Sequence, residues 1–332
     1  MPTLSLCMIV RDEAWILEEC LAAARPQVDE LVVVDTGSVD GSREIAAAHA
    51  DRLLDFAWCD DFSAARNHGL EAASGDWILV LDADERVAEA DYPRLRAAMA
   101  DEAFDGYYLP QHNYGDDQTA WGWRPAGDHA PHARGYTGYT VNPILRLFRR
   151  RDGIRYRGRI HEIVDGTIAA DRRGELAVPL HHYCNANAER PRKARGERYQ
   201  AMLERELAAG ADGRLYSIAA AGAMHATGNY RQARDYFLRA AELGYEPQRS
   251  LEGAAEASYR EGDFGAANDL YQRLYGGGYR TPSLCLNLAN LAVRRGDRAA
   301  ALDLLRECLA LGGLGPAINT VIERNIAHLE GA

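Results

Sequence analysis

The chain has 332 residues, more than one hydrophobic core usually organises and about right for two domains. Hydrophobic residues make up 47% and charged residues 26%, a composition that excludes a disordered chain. The net charge of −11 argues against a general nucleic-acid binder, because a phosphate backbone would be repelled.

LSLCMIV (4–10) is an unbroken apolar run and reads as a buried strand. Its apolar stretch ends in charge at Arg11, too early for a signal peptide, and no later run reaches the roughly 18 apolar residues of a membrane span. Six cysteines without a CxxC pair fit reduced thiols, so a cytoplasmic protein is expected. Asp12 is placed to cap a helix over EAWILEECLAAA, which Pro26 ends. ELVVVD (30–35) reads as a second strand, followed by a helix over GSREIAAAHA. LLDFAW (53–58), SAARNHGLEAA (63–73) and DWILVL (76–81) continue the alternation as strand, helix and strand. Strands joined by single helices predict a parallel sheet with right-handed crossovers and ligands at the carboxyl ends of its strands.

Polar clusters sit at those ends: RDE after the first strand, DTGS after the second, DADE after the fourth. In an extended DADE segment, Asp82 and Asp84 point the same way and can hold a hard divalent cation. A solvated loop is the plainer reading of D-x-D alone. Residues 111–143, rich in Gly, His and aromatic residues, read as a long functional loop. Trp121, Trp123, Tyr136 and Tyr139 are expected to present flat faces to a bound ligand or to form a lid. His129 and His132 carry no supporting ligand pattern for a second metal.

The second half changes period. GNYRQA, GDFGAA and GDRAAA begin at 228, 262 and 296, each 34 residues apart, with Ala233, Ala267 and Ala301 in register. That spacing is the tetratricopeptide (TPR) signature. The repeats can stabilise the first half, form a homodimer, or offer a docking groove to a protein or peptide. Residues 190–210 read as a helix leading into them. The expected division is 1–188 as an α/β domain, 189–212 as a linking helix, and 213–332 as an all-α solenoid of three repeats.

MIVRDEAWILEECL, ELVVVDTGSVDGS, DFSAARNHGLEAASGDWILVLDADE and GRIHE, in that order, resemble family-2 glycosyltransferases of the GT-A fold. With the repeats, the chain is similar to the bacterial peptide S-glycosyltransferase subgroup. The resemblance implies a UDP-sugar donor, Mn²⁺ or Mg²⁺, and a peptide, protein or glycan acceptor. It implies that Val10, Arg11 and Glu13 border the nucleoside and that Asp35 contacts base or ribose. It also implies that Arg66 and Asn67 lie near the nucleotide and that Asp82 faces the ribose or a metal-bound water, with Ala83 beside it at the donor. By the same resemblance, Asp84 and, from HHYCN, His182 are expected to hold the metal, and Glu162 to be the catalytic base of an inverting transfer, with His161 orienting it or touching the donor. A salt bridge from Glu162 to Arg157 or Arg159 is the competing structural role. A TPR docking protein with a silent nucleotide-sugar domain is the alternative function. A nucleotidyltransferase shares the layout, but MIVRDEAW lacks its Gly-rich basic loop.

Overall fold

The computed structural model describes residues 1–118, 122–183 and 192–331. Trp121, Cys184 and Asn185 lie outside the described residues. The chain divides into two compact units, Met1–Asp117 with Trp123–Arg192, and Gln118–Gly122 with Lys193–Ala332.

In the first unit, β1 (Leu4–Val10), β2 (Glu30–Asp35), β3 (Arg52–Asp55) and β4 (Trp77–Val80) alternate with α1 (Ala14–Ala24), α2 (Ser42–His49) and α3 (Phe62–Ala72). These strands pair in parallel in the order β3–β2–β1–β4, as the single-helix connections predict. Alternation along the strands feeds two cores: Leu4, Leu6 and Met8 on one face, Cys7, Val32 and Ile78 on the other. Both faces are covered, which is why the sequence shows continuous apolar runs.

Beyond β4 the sheet becomes mixed. It gains β5 (Glu85–Val87), β6 (Gly106–Gly115), β7 (Arg124–Pro125), β8 (Gly138–Arg149), β9 (Arg173–Glu175) and β10 (Leu180–His182), with α4 (Tyr92–Met99) between β5 and β6. The order continues β8–β6–β10–β5, and β8 runs antiparallel to β4 and β6. The expected loop over 111–143 is therefore shorter than its sequence suggests, spanning residues between Gly115 and Gly138. Both its ends belong to the β6–β8 pair, where Pro110 and Pro143 face each other and dilute the strand signal. Its aromatic residues among the described ones pack inward. Trp123 and Tyr139 are buried, Trp123 donates Nε1–H to the Gly115 carbonyl at 3.1 Å, and Tyr139 stacks on His112. Tyr136 packs against the same core.

The second unit is helical: α5 (Arg192–Ala208), α6 (Gly213–Gly222), α7 (Tyr230–Glu242), α8 (Pro247–Glu261), α9 (Phe264–Gly276), α10 (Pro282–Arg294), α11 (Arg298–Leu311) and α12 (Pro316–Gly331). α7, α9 and α11 start 34 residues apart and share one entry: a glycine at φ +67, +92 and +75, then Asn229, Asp263 or Asp297 capping the third helical N–H. Ala233, Ala267 and Ala301 are wholly buried, small enough for neighbouring helices to close on them. Among the described residues, no helix is long and apolar enough to cross a membrane.

Candidate active site

Parallel pairing places Val10 opposite Asp35, so the first two polar clusters meet at one edge. Asp35 is buried and accepts N–H bonds from Gly37 at 3.1 Å and Ser38 at 3.2 Å, folding the chain over the end of β2. Asp12 does not cap α1. It sits at φ +54 and accepts the Val39 N–H at 2.8 Å, while Asp40 takes the Ala14 N–H at 3.0 Å. The two loops thus cap each other. Val10 belongs to the core and its carbonyl accepts from Thr36, so Arg11 and Glu13 are the nearby side chains that reach outward.

Why the chain drives a greasy strand into three carboxylates is answered mostly by arginine. Asp82, Ala83, Asp84 and Glu85 form a turn closed by the Glu85 N–H on the Asp82 carbonyl at 2.9 Å. The segment is not extended, so the aspartates do not share a side. Asp82 Oδ1 receives Arg66 Nη2 at 2.8 Å and Oδ2 receives Arg146 Nη2 at 2.6 Å. Glu85, wholly buried, receives Arg146 Nη2 at 3.0 Å and Gln111 Nε2 at 2.5 Å. Burial would raise the Asp82 carboxyl, but Arg146 and Arg66 outweigh it and hold the group far below the usual carboxylate range. Ala83 is buried beneath the turn.

Asp84 points elsewhere. Antiparallel pairing of β5 with β10 sets His182 opposite Glu85, which brings His182 Nε2 to 3.7 Å from Asp84 Oδ2. His182 Nδ1 lies 2.6 Å from the Asn113 amide oxygen, so Nδ1–H donates there and Nε2 faces the carboxylate. The gap is too long for a hydrogen bond, and two lone pairs facing it call for a proton or a cation. Burial disfavours the charged imidazole, yet Asp84, Glu85 and Asp82 prevail and raise its pKa. Among the described residues no three His, Cys, Asp or Glu side chains form a metal-holding group. A two-residue hold suits a hard cation that completes its shell with water and phosphate oxygens.

Residues 157–163 double back on themselves. Arg157 and Ile163 exchange backbone hydrogen bonds, while Phe62 N–H and Ser63 Oγ at the start of α3 bind the carbonyls of Arg159 and Gly158. Asn67 bonds both backbone groups of Tyr156 and so straps this loop rather than facing outward. The clamp delivers Glu162 to Arg66, Nε to Oε1 at 2.5 Å, instead of to Arg157 or Arg159; Arg159 lies 3.8 Å from Asp61. His161 adopts φ +52, a left-handed backbone that favours glycine and recurs at functional sites. Arg66 stacks on Tyr156 and joins Asp82 to Glu162. Arg146, Gln111 and Asn113 were missed by sequence reasoning. An arginine inside the apolar run ILRLF was the available signal.

Behind His182, the ring of His181 stacks on His132, and His112 meets His129 edge-on. Burial, then His129 and Arg124, pushes His112 down to about 4 from 6.5. The unfolded chain therefore binds the proton first. The contribution of neutral His112 is complete above about pH 6.5 and is lost as pH falls toward 4. Thermal melts should show an acid limb in that window, flattened in His112→Phe; an identical limb in the variant would assign it to other groups.

The family described as Glycosyl transferase family 2 matches residues 5–171. A TPR repeat-containing protein of Synechococcus elongatus is 38% identical over 216 residues, covering 63% of this chain and 49% of that protein. The SPbeta prophage-derived glycosyltransferase SunS of Bacillus subtilis is 25% identical, covering 48% and 34%. The lipopolysaccharide core biosynthesis glycosyltransferase LpsC of Rhizobium meliloti is 30% identical, covering 52% and 62%. The chain spans less than two thirds of each of these relatives. Among solved structures, glucosyl-3-phosphoglycerate synthase from Mycobacterium tuberculosis, in complex with Mn²⁺, UDP and glucosyl-3-phosphoglycerate, aligns at a TM-score of 0.41 with 18% identity, covering 63% of this chain and 81% of that one.

Proposed function

Because the chain belongs to Glycosyl transferase family 2, we propose that it transfers a hexose-type unit from a UDP-linked sugar to a peptide or glycan acceptor, with inversion and with Mn²⁺ or Mg²⁺. The observation that carries this reading is the division of the acidic turn: Asp82 is held by two arginines while Asp84 faces His182 across 3.7 Å. In this reading Arg11, Glu13 and Asp35 border the nucleoside, Asp35 accepting from base or ribose. Asp82 accepts a ribose hydroxyl through a lone pair its arginines leave open. Asp84 and His182 are the residues that would hold the cation, whose chemistry is to neutralise charge growing on a departing diphosphate. Glu162 takes the acceptor's proton as the nucleophile attacks the anomeric carbon on the face opposite the diphosphate, with His161 orienting it. The helical unit is the proposed docking surface for the acceptor.

Purified protein incubated with UDP-sugars and Mn²⁺ is expected to hydrolyse a donor slowly in the absence of acceptor. Donor binding with no hydrolysis, and no transfer to any acceptor, would favour a docking protein with a silent α/β unit.

A further inference from the structure

Arg146 lies on β8 between Leu145 and Leu147, both buried, and is itself only 4% exposed. Placing a guanidinium there is costly, and an apolar residue would pack more cheaply. The acidic partners given to its Nη2 are the Asp82 and Glu85 carboxylates, at 2.6 and 3.0 Å. Its Nε is buried with no hydrogen-bond partner among the described residues, so the group is placed for what Nη2 grips rather than for full saturation. Glu85 in turn closes the turn by accepting the Asp82 N–H at 2.9 Å and is fixed by Gln111. Arg66 also reaches Asp82, but its Nε is committed to Glu162. Arg146 is therefore the counter-charge that serves the acidic turn without touching the proposed base.

We infer that Arg146 is a positioning residue for donor recognition: it fixes the Asp82 carboxylate in the orientation that meets the donor and keeps Asp82 from turning toward the cation. The inference rests on the donor-site reading above, and its test separates the two. Removing Arg146 alone would strand buried Glu85, so the informative variant is R146M/E85Q, which deletes both charges, with R146K as a second probe. UDP titrations in the presence of Mn²⁺ are run on the full chain as wild type, D82N, R146M/E85Q and R146M/E85Q/D82N. D82N and R146M/E85Q should each bind UDP about tenfold more weakly than wild type, the size of one charge-assisted hydrogen bond. The triple variant should bind no more weakly than the double, because both changes remove the same interaction. R146K should fall between wild type and R146M/E85Q, with the loss in donor KM rather than kcat. A merely structural role would lower the melting temperature without this non-additivity. Full additivity, or wild-type affinity in R146K and R146M/E85Q, would overturn the role of Arg146. Wild-type affinity in D82N, or no UDP binding by the wild-type protein, would instead overturn the donor-site reading itself.

Discussion

Replacing Asp84 by alanine is expected to abolish Mn²⁺-dependent UDP binding and to lower transfer by about 10²- to 10³-fold, the usual loss on deleting one preorganised electrostatic partner. Among the described residues, Asp84 is the carboxylate of the turn without an arginine contact; its ion-pair partner is His182 at 3.7 Å. Asp82 does not replace it, because Arg66 and Arg146 already balance its charge and hold both its oxygens in place. Asp84 is one of the charges that raise the pKa of His182, so His182 can become neutral once Asp84 is gone; no buried charge is stranded and the fold should melt near the wild-type temperature. Titration of UDP with and without Mn²⁺ checks this. A variant that still binds UDP more tightly with the metal would place the cation elsewhere.

Glu162→Gln is expected to cut kcat by about 10²- to 10⁴-fold, the range for loss of a general base. Donor affinity should survive, since the amide oxygen still accepts Arg66 Nε in the place of the carboxylate oxygen now 2.5 Å away. Arg66 then keeps its second hand on Asp82. Single-turnover kinetics with saturating donor make the comparison. A fall in UDP binding as large as the fall in turnover would reduce Glu162 to one half of a structural ion pair.

The parallel half of the sheet was legible because β1, β2 and β4 are covered on both faces and so appear as unbroken apolar runs. The helical period was legible because each repeat needs a positive-φ glycine, a cap and a buried alanine at fixed offsets. The mixed half was hidden. β6 and β8 carry Gly, Pro, His and Arg where alternation would announce a strand, and it is pairing with each other and with β4, β9 and β10 that satisfies those backbones. In the site, Asp82, Asp84, Glu162, His182 and Arg66 were singled out from the sequence, but Arg146, Gln111 and Asn113, which bond to them or to Glu85, were not. Asp82 and Asp84 diverge because Glu85 closes a turn, a tertiary effect that depends on Arg146 and Gln111. Asn113, which orients His182 from 69 positions away, has no local signature at all.

The most direct measurement is the anomalous signal of manganese in crystals of the wild-type protein grown with UDP. A peak between the Asp84 carboxylate and His182 Nε2, with Asp82 still paired to Arg66 and Arg146, is the predicted result. Manganese and UDP in a different crevice, or Asp82 released from its arginines to ligate the ion, would contradict it.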